Sequence, residues 1–124
     1  MKSIAPGFNE QNPIDWIDAL RASMGKLKNR NASAIESLQA IGIAGHMHGA
    51  TLLDKNGEIL HPCILWNDTR SYKQASILDQ DENLREITGN IVFPGFTAPK
   101  LLWIQDNKPE LFEQVAKVLL PASY

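Results

Sequence analysis

The sequence predicts an α/β fold, with strands and helices interleaved along one chain, and three observations carry that expectation. Asn12-Pro13 followed by Asp15 opens a helix on which Ile17, Leu20, Met24 and Leu27 recur at helical spacing. Lys55-Asn56-Gly57 joins two short strand-like runs. Further on, Thr97 with Pro99, and then Pro109, mark two more helix starts ahead of a closing apolar run.

Taken in order, Asn12 is a good cap, Pro13 suits the first helical position, and Asp15 complements the positive end of the helix. The apolar stripe behind them predicts one buried face. Asn29 to Ser33 is polar turn material, and Leu38 to Ala44 then reads as a buried strand. Thr51 to Asp54 and Glu58 to His61 form a hairpin, because Asn-Gly suits a type I′ turn, whose two central residues need positive φ. Cys63 to Trp66 adds a further strand, and Asp68 caps a helix that runs through Gln80. Asp81 to Ile87 is a short helix that Gly89 ends in the left-handed conformation. Ile91 to Phe96 carries Pro94 and Gly95 and reads as a loop. Thr97 caps a helix that stops at Asn107, Pro109 opens the next with Leu111, Phe112 and Val115 on one face, and Lys117 to Leu120 closes as a strand.

The composition sets outer limits. The chain has 124 residues, 44% of them hydrophobic and 21% charged, which suits a globular unit that buries a core. A net charge of -2 gives no electrostatic reason to expect nucleic acid or an anionic membrane as partner. The apolar runs are too short to span a bilayer, and Met1 to Pro6 lacks the apolar stretch of a signal peptide. With a single cysteine, Cys63, no internal disulfide can form, and the expected compartment is cytoplasmic.

Chemistry-bearing residues crowd into one block, Gly45 to Ser71, which holds all three histidines and the one cysteine. His46-x-His48 and His61-x-Cys63 are two potential chelating pairs, but Pro62 disturbs the second and the spacing is not that of a structural zinc site. No metal site is predicted. Cys63 lies in an apolar run and reads as an inert buried thiol. Neither a GxGxxG nor a GxxxxGK[ST] string is present, so no nucleotide cradle is predicted. A substrate pocket remains. Gly45 and Gly49 bracket His46-Met47-His48 at the end of a predicted strand, where glycine lets backbone turn or approach a ligand closely. A polyol or sugar needs directional hydrogen bonds and an apolar wall, and His48, Asn67, Asp68 and Trp66 supply those types. For each residue alone a structural role competes: Trp66 as core, Asp68 as helix cap, His48 as a satisfied buried imidazole.

The string IGIAGHMHGATLLDKNGEILHPCILWNDTRS, Ile41 to Ser71, closely resembles the sugar-binding stretch of the FGGY carbohydrate kinase family, in the branch that acts on xylulose. NEQNPIDWIDAL, from Asn9, resembles the entry to that family's first long helix, and ITGNIVFPGFTAPKLLWIQDNKPELFEQVAKVLLPASY, from Ile87, resembles the segment after the sugar loop. His46 stands where the family pattern has Gln, and Thr69 where it has Gly. The resemblance implies a partial ribonuclease H-like domain of the actin-like ATPase superfamily, a mixed sheet with flanking helices. It also implies ATP-dependent phosphorylation of D-xylulose to D-xylulose 5-phosphate by the parent enzyme.

Carried over residue by residue, the resemblance puts Met47 and His48 on the sugar, Trp66 in the aromatic wall, and Asp68 beside them as a fourth substrate residue. It places no catalytic, cofactor or metal residue in this chain. Residues 1–124 would be an incomplete N-terminal domain, with the phosphate hairpin, the catalytic aspartate and the C-terminal domain elsewhere. ATP and Mg²⁺ would serve the parent enzyme and would not bind this chain, which alone would be inactive and hold D-xylulose weakly or not at all. An unpaired edge at Leu38 to Ala44 would favour a homo-oligomer joined there. Two other readings stand beside this one: a noncatalytic interaction module, and a small metal-binding protein using His46, His48, His61 and Cys63.

Overall fold

The computed structural model describes residues 2–124. Five strands, β1 (Lys2–Ala5), β2 (Phe8–Gln11), β3 (Ala50–Leu53), β4 (Ile59–Ile64) and β5 (Lys117–Leu119), form one sheet in the order β1-β2-β4-β3-β5. Six helices accompany it: α1 (Pro13–Arg30), α2 (Ala32–Glu36), α3 (Tyr72–Asp79), α4 (Glu82–Thr88), α5 (Thr97–Asn107) and α6 (Pro109–Phe112). The α/β class is as expected. The sheet, however, is antiparallel in every ladder rather than mixed.

One expected strand is also absent. Residues 38–44 are irregular, with Ile41 66% and Ile43 70% exposed. An alternating run becomes a strand only with a ladder neighbour to take its N–H and C=O groups. Among the described residues none lies beside it, so the edge on which self-association was expected is not a strand; the sheet instead ends at β1 and β5. The expected burial of the α1 stripe fails for a related reason. Only Pro13 is buried in this helix, while Leu20 and Leu27 are about half exposed.

The N-terminal hairpin was not anticipated. Pro6-Gly7 was its signal: Gly7 has φ 80, the left-handed value that a type II turn requires after proline. The turn is held against the body by Thr69, whose N–H donates to the Gly7 carbonyl at 2.9 Å. The hairpin over β3 and β4 forms where expected but with a different turn. Gly57 has φ 86 and Asn56 does not share it, so the loop closes through a Gly57 N–H bond to the Asp54 carbonyl, followed by a left-handed glycine. The Asp54 carboxylate accepts from the Glu58 and Asn56 amides, each at 2.8 Å, which holds its carboxyl below the usual range.

β4 absorbs Pro62 and runs through Cys63 as one strand. Its register against β3 shifts between the Ala50–Ile64 and Leu52–His61 pairs, so Pro62 falls at a bulge where the missing N–H costs least. Leu52, Ile64 and Ile104 make the buried core, with Leu60, Leu101, Trp103, Leu111, Phe112 and Val115 packed around it. α5 thus covers the sheet, and α3 docks on α5, where Gln74 donates to Asp106 at 2.8 Å.

The remaining helix ends follow local rules, with three exceptions, the first being α5, where the expected cap Thr97 is already the first helical residue and Phe96 holds the cap position without a side-chain bond. Asp81 caps α4 through the Asn83 and Leu84 amides, and Gly89 ends it with φ 64. α2 is a short helix where a turn was expected, because Asn31 ends α1 and also accepts from the Ala34 amide. Asp68 caps no helix, since α3 starts at Tyr72 after Ser71 and the aspartate is engaged elsewhere.

Candidate substrate-binding site

Gly45 and Gly49 bracket the His46–His48 turn for a packing reason that the sequence did not suggest. A Cβ on Gly45 would lie 2.6 Å from the Ala122 nitrogen, and one on Gly49 would lie 2.9 Å from the Cys63 sulfur and against Pro121. The glycines therefore seat the 3₁₀ turn Pro121–Ser123, and the close approach is to this chain's own backbone, not to a ligand. With both flanks pinned, the bend falls on His48. It has φ 60, a left-handed conformation that costs a non-glycine residue on the order of 1–2 kcal/mol.

Two partners hold His48 there. Its ring stacks on Phe96 with centroids 4.6 Å apart and planes 28° apart. Its carbonyl accepts from the Lys100 ammonium at 2.6 Å, and the same ammonium donates to the Gly95 carbonyl at 2.6 Å. The Phe93–Phe96 loop is anchored once more by Ser71, whose hydroxyl donates to the Pro94 carbonyl at 2.9 Å. Gly95 also abuts the Trp66 carbonyl oxygen so closely that any side chain there would collide. The His48 turn, which carries Met47, and the Trp66 backbone, well separated in sequence, are thereby brought to Gly95. Met47 is 61% exposed, and the Trp66 and Phe93 rings are each 51% exposed. The stacked His48 imidazole is able to hydrogen-bond a hydroxyl, and the exposed Met47, Trp66 and Phe93 side chains on the adjoining segments are of the kind that covers C–H groups.

Asp68, the fourth predicted substrate residue, lies elsewhere. It is fully buried and both oxygens are engaged: the Asn9 amide donates to Oδ2 at 2.6 Å, and Arg70 donates through Nε at 2.9 Å and its second terminal nitrogen at 2.7 Å. Arg70 also reaches Glu10 at 2.7 Å and lies over the Phe8 ring, 4.1 Å from its centroid. Asp68 therefore ties the N-terminal hairpin to the segment leading into α3. Phe93, Gly95, Phe96 and Lys100 were missed by sequence reasoning. The available signals were an aromatic pair around Pro-Gly and a lysine at a core-facing position of α5.

Burial sets the electrostatics. Lys100 is fully buried, and desolvation pulls its ammonium down to about 8, with Arg70 pushing the same way against the opposing effect of Cys63 and Asp68. Burial pushes the Cys63 thiol up, away from the thiolate that a nucleophile needs. His61 is held neutral chiefly by burial. One ring nitrogen bonds the Pro62 carbonyl at 2.7 Å, and the other lies 2.9 Å from the Lys108 ammonium. Lys108 and Arg70 lower its basicity further, against Glu10 at 3.9 Å. Because the unfolded chain takes up this proton below about pH 6.5 and the folded one resists it, stability should fall as pH drops through that value. Urea unfolding at about pH 7 and about pH 5 checks this, with the fall reduced in His61→Gln.

The four residues of the metal reading do not converge. His46 lies beside Trp16, His48 on Phe96, His61 beside Lys108, and Cys63 in the core. Among the described residues no three His, Cys, Asp or Glu side chains form a group able to hold a metal ion. His46 instead lines a cavity of about 440 Å³ whose wall includes Trp16, Ile43, Pro121 and Tyr124, and its buried Nδ1 has no hydrogen-bond partner. No helix among the described residues is long and apolar enough to cross a membrane.

Comparison with known proteins agrees with this architecture. The xylulose kinase of Escherichia coli K12 is 47% identical over 120 residues, which cover 96% of this chain and 24% of that protein. A xyloylose kinase from Brucella ovis superposes with a TM-score of 0.96 at 50% identity, over 98% of this chain and 26% of that one. The xylulose kinase of Rhodospirillum rubrum gives 0.89 at 29% identity, again over 98% and 26%. The chain thus spans about a quarter of the length of these relatives. Residues 1–124 match the profile of the FGGY family of carbohydrate kinases, N-terminal domain. By that match over its whole length, and by a fold shared with these kinases, the chain belongs to the FGGY family of carbohydrate kinases.

Proposed function

We propose that this chain supplies the sugar-holding face of an ATP-dependent kinase that converts D-xylulose into D-xylulose 5-phosphate. The observation that carries the reading is the Lys100 link between the His48 turn and Gly95, which in turn abuts the Trp66 backbone. In this reading the His48 imidazole bonds a sugar hydroxyl, while the Met47 thioether and the Trp66 indole cover the carbon skeleton. Asp68 acts at one remove, by fixing Arg70 and the N-terminal hairpin to the segment that follows Trp66. The contribution of such a face is positioning: it holds one hydroxyl where a phosphate donor can meet it.

ATP and Mg²⁺ do not fit the residues present. Among the described residues no three His, Cys, Asp or Glu side chains form a group that could hold a metal, and the sequence has no glycine-rich phosphate loop. Phosphate transfer is therefore assigned to other polypeptide of the kinase, with residues 1–124 as part of its N-terminal domain. The setting we propose is cytoplasmic.

The test mixes the 124-residue chain with ATP, Mg²⁺ and D-xylulose and follows D-xylulose 5-phosphate. None above a protein-free blank is expected, and ATP-dependent product would overturn the assignment. Calorimetry should find D-xylulose affinity no tighter than about millimolar. A micromolar dissociation constant would contradict the idea that this face is only part of the pocket.

A further inference from the structure

A lysine with no exposed surface and no carboxylate partner at hydrogen-bond distance is unusual, since burying an ammonium is costly unless it is paired or hydrogen-bonded. Lys100 sits at a core-facing position of α5, where Pro99 and Ile104 are its buried neighbours on the helix. Its two bonds of 2.6 Å go to backbone carbonyls of segments far apart in sequence, His48 and Gly95. These carbonyls belong to the left-handed residue of the turn and to the glycine that abuts Trp66. The chain thus spends a buried charge at the one point where the two halves of the candidate site meet.

We propose that Lys100 is a positioning residue for sugar recognition: by clasping the His48 and Gly95 carbonyls it holds His48 in its left-handed conformation, its ring on Phe96, and its turn against the Gly95 loop that abuts Trp66. The proposal deepens the reading of His48 as a sugar contact and rests on it. Charge assistance makes such bonds roughly twice as strong as neutral ones, which offsets the cost of the positive φ at His48. A neutral amine keeps fewer protons and loses that assistance, so the clasp should weaken as the ammonium titrates. The groups that act on this titration are Cys63, Asp68 and Arg70. Because burial raises the Cys63 thiol, its own ionisation falls later.

The test uses NMR of the 124-residue chain with Lys100→Met, a replacement of similar length without the charge. The His48 amide–Hα coupling reports φ, and the Gly49 and Phe96 amides report the two peptide groups whose carbonyls Lys100 binds. Expected in Lys100→Met are a changed His48 coupling, unchanged β3 and β4 amides, and D-xylulose binding weaker by roughly tenfold, one hydrogen-bonded contact's worth. An unchanged coupling with unchanged affinity would overturn the proposal. If the variant does not fold, the wild-type chain decides. Raising the pH from about 7 to about 9.5 should move the Gly49 and Phe96 amides together with a midpoint near 8, and a flat response at both would overturn the proposal. Should D-xylulose shift nothing in the wild type, the sugar reading fails, while the coupling and the pH response still judge the clasp.

Discussion

Arg70→Met is expected to cost about 3–5 kcal/mol of folding stability, because it leaves two buried carboxylates without their cation. Arg70 joins Asp68 through two nitrogens and Glu10 through the third, and its side chain is 2% exposed against 0% and 9% for those carboxylates. The guanidinium also packs on Phe8 and Trp103, so its removal opens space beneath the N-terminal hairpin. Asp68 keeps the Asn9 and Arg70 backbone amides, whereas among the described residues Glu10 keeps His61 at 3.9 Å as its remaining side-chain ion partner. Removing the stranded charge in Glu10→Met/Arg70→Met should therefore recover part of the loss. Chemical denaturation measures both variants; a loss below about 1 kcal/mol for Arg70→Met would mean that solvent already screens this cluster.

The second large effect runs with pH. Lys100 binds its proton with a midpoint of about 8 in the folded chain and near its ordinary 10.5 when unfolded. Between those values the unfolded chain holds more protons, so stability should rise with pH, by on the order of 3 kcal/mol across the window. Cys63 works in the opposite direction. Its raised midpoint means that the folded chain retains a proton the unfolded one loses above about 9. The clean comparison is therefore Cys63→Ala against Cys63→Ala/Lys100→Met. The first should gain stability from about pH 8 to about pH 10, and the second should stay flat. Equal slopes would show that the lysine is hydrated in solution.

How far the sequence could be read depended on whether a feature is local. The caps at Asn12 and Asp81, the stop at Gly89 and the hairpin at Gly57 are settled within a few residues, and each stands where its chemistry predicts. The exact turn type at Asn56-Gly57 was not legible, because one glycine satisfies either loop. Leu38 to Ala44 has the pattern of a strand, but a strand is a property of two segments, and pattern says nothing of whether the second is present. Asp68 reads as cap or ligand, whereas the fold engages it with Arg70, two residues on, and with the distant Asn9 amide. For the site, Met47, His48 and Trp66 were proposed through resemblance alone. The Lys100 clasp was not legible, since a lysine in a helix ordinarily predicts a solvated face.

If D-xylulose sits on the surface around Gly95, a D-xylulose titration of the ¹⁵N-labelled 124-residue chain will locate it there. Shifts should concentrate at Met47, His48, the Trp66 indole and the Phe93–Phe96 loop. Shifts confined to Trp16, His46 and Tyr124 would place the sugar in the neighbouring cavity and contradict the account.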